Sequence, residues 1–283
     1  MSKLLFFLRA YPLTKRISLA LLFLAEATKV SHTRWRSFFN ESLIESRSIL
    51  GFVYDRGGVA SAYDHFMLVS FSYKNSSLTM RLRWDSSDFL VFEQVFIKEE
   101  YAHLSDTNLL TPVIIDAGAN IGCTTIYLKM LYPKARILSI EADPSNFIAL
   151  EENIRLCGLE GITCVSAAIW NVNGIVRLGR NFRDNRDWSV RVQEQGDIPV
   201  SAKTMLTILE ENKLERADIL KMDIEGAELN IFSEDVTIER VLSTVKFIAI
   251  EVHDDVEKKI EKLLTRMGFT VFVSNETLFG KID

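Results

Sequence analysis

The sequence predicts an α/β protein built on a mostly parallel sheet and preceded by a region of different character. Three observations predict it. From Thr111 onward, short apolar runs alternate with helical segments, the pattern of βαβ units. The run Val113-Ile114-Ile115 is wholly apolar, as expected of a parallel strand covered on both faces. The chain closes on two strand-like stretches, 269–273 and 277–282, joined by Asn275-Glu276. That pattern predicts a hairpin, and so one antiparallel strand in the sheet.

Residues 1–50 read as helical, with apolar clusters punctuated by Arg and Lys. Lys15 and Arg16 precede the apolar run Ile17 to Ala25, followed by Glu26 and Ala27, which carries the ingredients of a signal peptide. The long leading segment, Pro12 and the glutamate at the cleavage position argue against secretion. The expectation is an ordinary packing helix, with peripheral membrane contact through this N-terminal helix left open. No apolar stretch is long enough to span a bilayer. Further on, Met67, Val69 and Phe71 alternate with their neighbours, and Leu78, Met80 and Leu82 alternate again after Asn75-Ser76-Ser77, predicting a hairpin with its turn there. Phe89, Phe92, Phe96 and Tyr101 then recur at helical spacing over 88–101. Residues 1–105 are therefore taken as an N-terminal helical and β-hairpin cap region, and 106–283 as the second domain.

In that second domain a helix is expected over Ile121 to Tyr132, stopped by Pro133, then a strand from Arg136 to Ile140. Asp143 and Pro144 suit the N-cap and first position of a helix that runs to about Cys157, where Gly158 supplies a left-handed cap. Further strands are expected at Thr163 to Ala168, Ile219 to Met222 and Phe247 to Val252, with a last helix from Val256 to Met267.

Composition narrows the classes. Hydrophobic residues at 48% and charged residues at 25% exclude collagen-like and disordered chains. Lys+Arg at 33 against Asp+Glu at 38 leaves −5, so no nucleic-acid partner is expected. Cys123, Cys157 and Cys164 form no paired motif, which points to a reducing, cytoplasmic setting without a disulfide or zinc scaffold.

The strongest local signal is Asp116-Ala117-Gly118-Ala119-Asn120-Ile121-Gly122, where a buried strand enters a glycine turn and then a helix. Gly118 permits a tight turn, and Gly122 lets ligand or sheet approach the helix. At the end of the next strand, Glu141 can accept both hydroxyl hydrogen bonds of a ribose. A dinucleotide fingerprint would need a glycine where Asn120 stands. An acid entering the loop repels a diphosphate but suits an amino-acid ammonium. S-adenosylmethionine, with a ribose, an amino acid and no phosphate, is preferred over NAD.

Further candidates lie at later strand ends. Asp223 and Glu225 stand two apart, with Glu228 on the helical turn that follows. Such carboxylates can hold a hydroxyl, act as base or bind a divalent cation, although without a histidine partner no metal is assigned. Glu225 and Glu228 could instead only complement a helix N-terminus. His253 follows the fifth strand, where parallel sheets bind ligands, and is either a base or substrate-binding residue or a hydrogen-bonded structural histidine. Arg177, Arg180, Arg183, Arg186 and Arg191 with Trp188 form either an arm that grips an anionic or sugar acceptor or a solvated hairpin.

The runs IIDAGANIGCTTIYL, IEADPSNFIALEENI, KMDIEGAELNIF and IAIEVHDD, in this order, resemble the FkbM family of S-adenosylmethionine-dependent methyltransferases over roughly residues 112–255. The resemblance implies a class I methyltransferase (Rossmann-like) fold, with seven strands of which the last is antiparallel. It also implies methyl transfer to oxygen on a small-molecule or glycan acceptor. Carried onto this sequence, Asp116, Gly118, Asn120 and Gly122 would line the methionine end and Glu141 would hold the ribose. Ala142 and Ala168 would lie along the adenine, and Asp223 would face the sulfonium or the acceptor. Residues 1–85 depart most from the family pattern. The alternatives are a non-catalytic nucleoside-binding module of the same fold, and an NAD-linked oxidoreductase.

Overall fold

A computed structural model describes residues 3–11, 41–84, 86–105, 108–179, 191–192, 196–234, 237–252 and 257–282. The chain divides into two compact units, Met1–Lys98 with Arg155–Cys157, and Glu99–Ile154 with Gly158–Asp283.

In the first unit, α1 (Lys3–Ala10) and α2 (Glu41–Asp55) precede an antiparallel sheet of β1 (Val59–Ala62), β2 (Phe66–Tyr73) and β3 (Ser76–Arg83). The alternation in the sequence is realised as burial: Met67, Val69, Phe71, Leu78, Met80 and Leu82 all point into the core. The hairpin turn falls on Lys74-Asn75, earlier than Asn75-Ser76-Ser77, because Tyr73 pairs with Ser76. Both turn residues have positive φ, +44° and +66°, as a two-residue turn of matching twist requires. Helix α3 (Asp88–Phe92) continues as a π-helical turn, Glu93–Ile97. Glu99, at φ +49°, follows that turn, so Tyr101 is not on the helix its spacing suggested. The apolar run 17–25 lies outside the described residues.

The second unit opens with a short 3-10 turn, Ala102–Ser105, and then β4 (Val113–Ala117), α4 (Cys123–Leu131), β5 (Arg136–Glu141), α5 (Pro144–Leu156) and β6 (Ile162–Ser166). Four short strands follow: β7 (Ala168–Ile169), β8 (Gly174–Gly179), β9 (Arg191–Val192) and β10 (Ile198–Lys203). After α6 (Met205–Glu211) come β11 (Ile219–Met222), α7 (Glu228–Glu234), α8 (Ile238–Leu242), β12 (Phe247–Glu251), α9 (Glu257–Arg266), β13 (Thr270–Ser274) and β14 (Thr277–Lys281).

Seven of these strands form one sheet in the order β13-β14-β12-β11-β4-β5-β6. Strands β12, β11, β4, β5 and β6 run parallel, and β14 lies between β12 and β13, antiparallel to both. This is the class I methyltransferase, Rossmann-like arrangement, with the closing hairpin turning at Asn275 as expected. Its centre is dry: Ile114, Ile115, Ile219, Leu220, Phe247 and Ile248 are all buried, which is why these runs lack alternation.

Two boundaries in this unit differ by two residues from the sequence expectation. Helix α4 starts at Cys123 because Gly122, at φ +90°, is its left-handed N-cap. The third strand stops at Ser166, and Ala168 belongs to a second sheet, β7-β10-β8-β9, where it pairs with Ala202. The arginine-rich stretch falls largely in 180–190 and 193–195, outside the described residues. No helix among the described residues is long and apolar enough to cross a membrane.

Candidate active site

Parallel strands in register end together: Ala117 pairs with Ile140 on β5 and with Met222 on β11, and Met222 pairs with Ile250 on β12. The residues that follow these strands therefore share one edge, the ligand-binding edge of an open α/β sheet.

The turn after β4 is set by protein atoms. Gly118 has φ +75°, and a Cβ there would lie 1.7 Å from the carbonyl oxygen of Asp223, so no side chain fits. The amides of Gly118 and Ala119 both donate to the Ile140 carbonyl at 2.9 Å. Asn120 also has positive φ, +49°, and its Oδ1 accepts the next amide, Ile121 N, at 2.8 Å. At Gly122 a Cβ would meet Leu150 Cδ1 at 2.8 Å, so the close neighbour is helix α5.

Glu141 is the link between the first two strand ends. Its Oε2 accepts Asn120 N at 2.8 Å and its Oε1 accepts Asp143 N at 2.7 Å. Burial pushes its carboxyl up to about 7, against the pull of these two amides. Each carboxylate oxygen keeps a further lone pair for a hydroxyl donor. Asp143 caps α5, its Oδ1 accepting Ser145 N at 2.8 Å and Asn146 N at 3.0 Å, as the sequence suggested. Ala142 is half-buried, and Ala168 is buried one residue after Ala167, whose amide donates to Glu141 O at 3.1 Å.

Beneath the turn lies a residue that the sequence reading quoted without assigning a role. Lys221, 2% exposed on β11, donates to Gly118 O at 2.8 Å. Its Nζ lies 3.4 Å from Asp116 Oδ1 and 3.7 Å from Asp223 Oδ2, and 5.6 Å from the Tyr101 ring centre. Asp116 has no exposed surface, and Thr125 donates to its Oδ2 at 2.5 Å. The single Thr125 proton is thereby used, so Ser139, 2.8 Å away, donates to Thr125. Burial raises the Asp116 carboxyl, opposed by Lys221 and Thr125. Burial alone would discharge Lys221, but Asp116, Asp223 and Glu251 hold its pKa above the ordinary value. Asp116, expected at the methionine end, supports the turn from below. The available signal was a lysine in an otherwise apolar central strand.

Asp223 is partly exposed, and its Oδ1 is buried with no hydrogen-bond partner among the described residues. The left-handed pair Glu225 and Gly226, φ +54° and +91°, turns the chain into α7. There the buried Glu228 accepts Ile224 N, four residues before the helix, through Oε1 at 3.3 Å. Glu251 ends β12 beside Asp223, and His253 lies outside the described residues. Tyr101 is fully buried, its hydroxyl pKa pushed well up by burial and then by Asp223, Glu251, Glu100 and Asp116. It is held by its neighbours: Thr277 donates to Glu100 at 2.9 Å, and Tyr132 donates to Leu104 O.

A family model described as the methyltransferase FkbM domain matches residues 116–271, more than half of the chain. The chain belongs to the FkbM methyltransferase family. Every site residue above except Tyr101 lies within that match. The chain is 28% identical over 194 residues to methyltransferase sdnD of Sordaria araneosa, covering 56% of this chain and 74% of that protein. It is 26% identical over 163 residues to the 2-O-methyltransferase NoeI of Sinorhizobium fredii, covering 50% of this chain and 64% of NoeI. The chain thus spans less than two thirds of NoeI. Among solved structures it is similar to methyltransferase FkbM from Methylobacillus flagellatus, with a TM-score of 0.45 and 16% identity, covering 71% of this chain and 56% of that one.

Proposed function

We propose that this FkbM methyltransferase takes its methyl group from S-adenosylmethionine and delivers it to a hydroxyl of a sugar, a glycan or another hydroxylated small molecule. The observation that carries the reading is Glu141, a buried carboxylate at the end of β5 that is bound to the glycine turn and still has acceptor capacity on both oxygens. That suits the paired hydroxyls of a ribose. The residues fit the rest of the donor in kind: Gly118, Asn120 and Gly122 shape a turn without a pyrophosphate cradle, and Ala142 and Ala168 offer small apolar surfaces for an adenine. The orphan Asp223 Oδ1 suits a cationic sulfonium or an incoming hydroxyl.

S-adenosylmethionine supplies a methyl group on a sulfonium, already a good leaving group. The protein's part is to align the acceptor and remove its proton as the bond forms. Asp223, His253 and Glu225 are the proposed catalytic residues. The similarity to NoeI, a 2-O-methyltransferase, supports transfer to oxygen. A net charge of −5 supports a small-molecule or glycan acceptor over a nucleic acid, and three free thiols suit a cytoplasmic enzyme.

Calorimetry with S-adenosylmethionine, S-adenosylhomocysteine and NAD tests the donor. Binding of the first two and not of NAD is expected, and NAD binding alone would overturn the reading. Transfer of labelled methyl from S-adenosylmethionine to a panel of sugars and hydroxylated metabolites tests the acceptor. Donor binding without transfer to any of them would favour the non-catalytic module.

A further inference from the structure

We infer that Lys221 is a positioning residue of the donor site, pinning the glycine turn to the ends of β4 and β11 through one buried ammonium. An ammonium has three N–H donors. Here oxygens from three segments surround it: Gly118 O in the turn accepts a hydrogen bond at 2.8 Å, and Asp116 Oδ1 on β4 and Asp223 Oδ2 after β11 lie at ion-pair distances of 3.4 and 3.7 Å. The Tyr101 ring lies within cation–π range of the same ammonium, at 5.6 Å. With 2% of its surface exposed, Lys221 is closed off from solvent beneath the turn. What it can do is hold shape. Gly118 must keep a left-handed backbone whose Cβ, if it had one, would lie 1.7 Å from Asp223 O, and the Lys221 bond to its carbonyl secures that conformation from inside.

The charge is also placed with care. Asp116, Asp223 and Glu251 surround Lys221 with negative charge, Glu141 feels its field, and Tyr101 covers it. A methionine side chain would fill nearly the same volume and lose the ammonium. The competing view is that Lys221 merely neutralises Asp116, a buried carboxylate that would otherwise be uncompensated. The two views separate in a double variant.

Lys221→Met alone should lower the melting temperature by about 10 °C, because Asp116 is stranded. Asp116→Asn with Lys221→Met removes both charges and should recover most of that loss. If Lys221 is a positioning residue, the double variant still has a loose turn. Amide exchange at Gly118 and Ala119 should then be at least about tenfold faster than in Asp116→Asn alone, with exchange in β5 unchanged. The affinity for S-adenosylhomocysteine should be at least about tenfold weaker by the same comparison. Exchange at Gly118 and Ala119 equal to that of Asp116→Asn would overturn the proposal whatever the ligand. The affinity arm rests on the donor reading above. Wild-type protein that fails to bind S-adenosylhomocysteine overturns that reading, and a double variant that binds like Asp116→Asn overturns the Lys221 role alone.

Discussion

Glu141 and Asn120, on consecutive strand ends of the sheet, are joined by a 2.8 Å hydrogen bond from the Asn120 amide to Glu141 Oε2. The carboxylate that would take the ribose is thus also a structural part of the glycine turn. Binding and turn geometry are coupled through a single side chain.

Glu141→Ala should therefore do more than delete a ligand contact. It leaves the Asn120 and Asp143 amides without their acceptor, at a cost of about 1–3 kcal/mol for each group left unsatisfied. Donor binding should fall below detection by calorimetry, and the melting temperature should drop. Glu141→Gln keeps one acceptor oxygen and should lie between the two. Wild-type donor affinity in Glu141→Ala would rule out this residue as the ribose acceptor.

The pH dependence of Glu141 has two opposite signs. Its carboxyl is raised in the folded chain from 4.5 to about 7, chiefly by burial. A carboxyl raised on folding stabilises the fold when protonated, an effect complete below its unfolded value and lost as pH climbs through about 7. The melting temperature of the ligand-free protein should fall across that window, and Glu141→Gln should flatten the slope. Donor affinity should run the other way, weakening by up to about tenfold per pH unit below 7, since the ionised form is the better hydroxyl acceptor. Affinity independent of pH across this range would contradict the assignment.

The two glycines of the turn should differ in cost. At Gly118 the obstacle is a backbone carbonyl, Asp223 O, which has little freedom to move. Gly118→Ala should cost about 3 kcal/mol or more and threaten folding, so a bulkier substitution such as Gly118→Val should not leave the protein intact. At Gly122 the obstacle is the flexible end of Leu150, so Gly122→Ala should cost about 1–2 kcal/mol, mainly from its positive φ. Chemical denaturation of both variants measures the difference.

For the chemical step, His253→Ala should lower kcat by about 10²–10⁴ with little change in donor affinity. Asp223→Asn should lower kcat and also weaken donor or acceptor binding, because it removes a charge beside the position proposed for the sulfonium. If His253 is the base, the wild-type rate falls as pH drops through the histidine range and the alanine variant loses that limb. Full activity and an unchanged profile in His253→Ala would move the base to Asp223 or Glu225.

Much of this architecture was legible in the order of residues. Strands β4, β11 and β12 sit centrally, buried on both faces, so their unbroken apolar runs announce them without any partner being known. Asp143-Pro144, Gly158 and Asn275 are local signals that act through their own backbone and hydrogen bonds, and each held in the structure. Glu141 at a strand end after a glycine turn was readable for the same reason. What only the tertiary structure decided depends on contacts between residues far apart in sequence. Gly118 is constrained by Asp223, across 105 positions. Asp116 serves a buried lysine beneath the turn because β4 and β11 are adjacent in the sheet. Lys221 stood out in the sequence only as a lysine in an apolar strand, and its role becomes readable when folding brings Gly118 O, Asp116 and Asp223 around it.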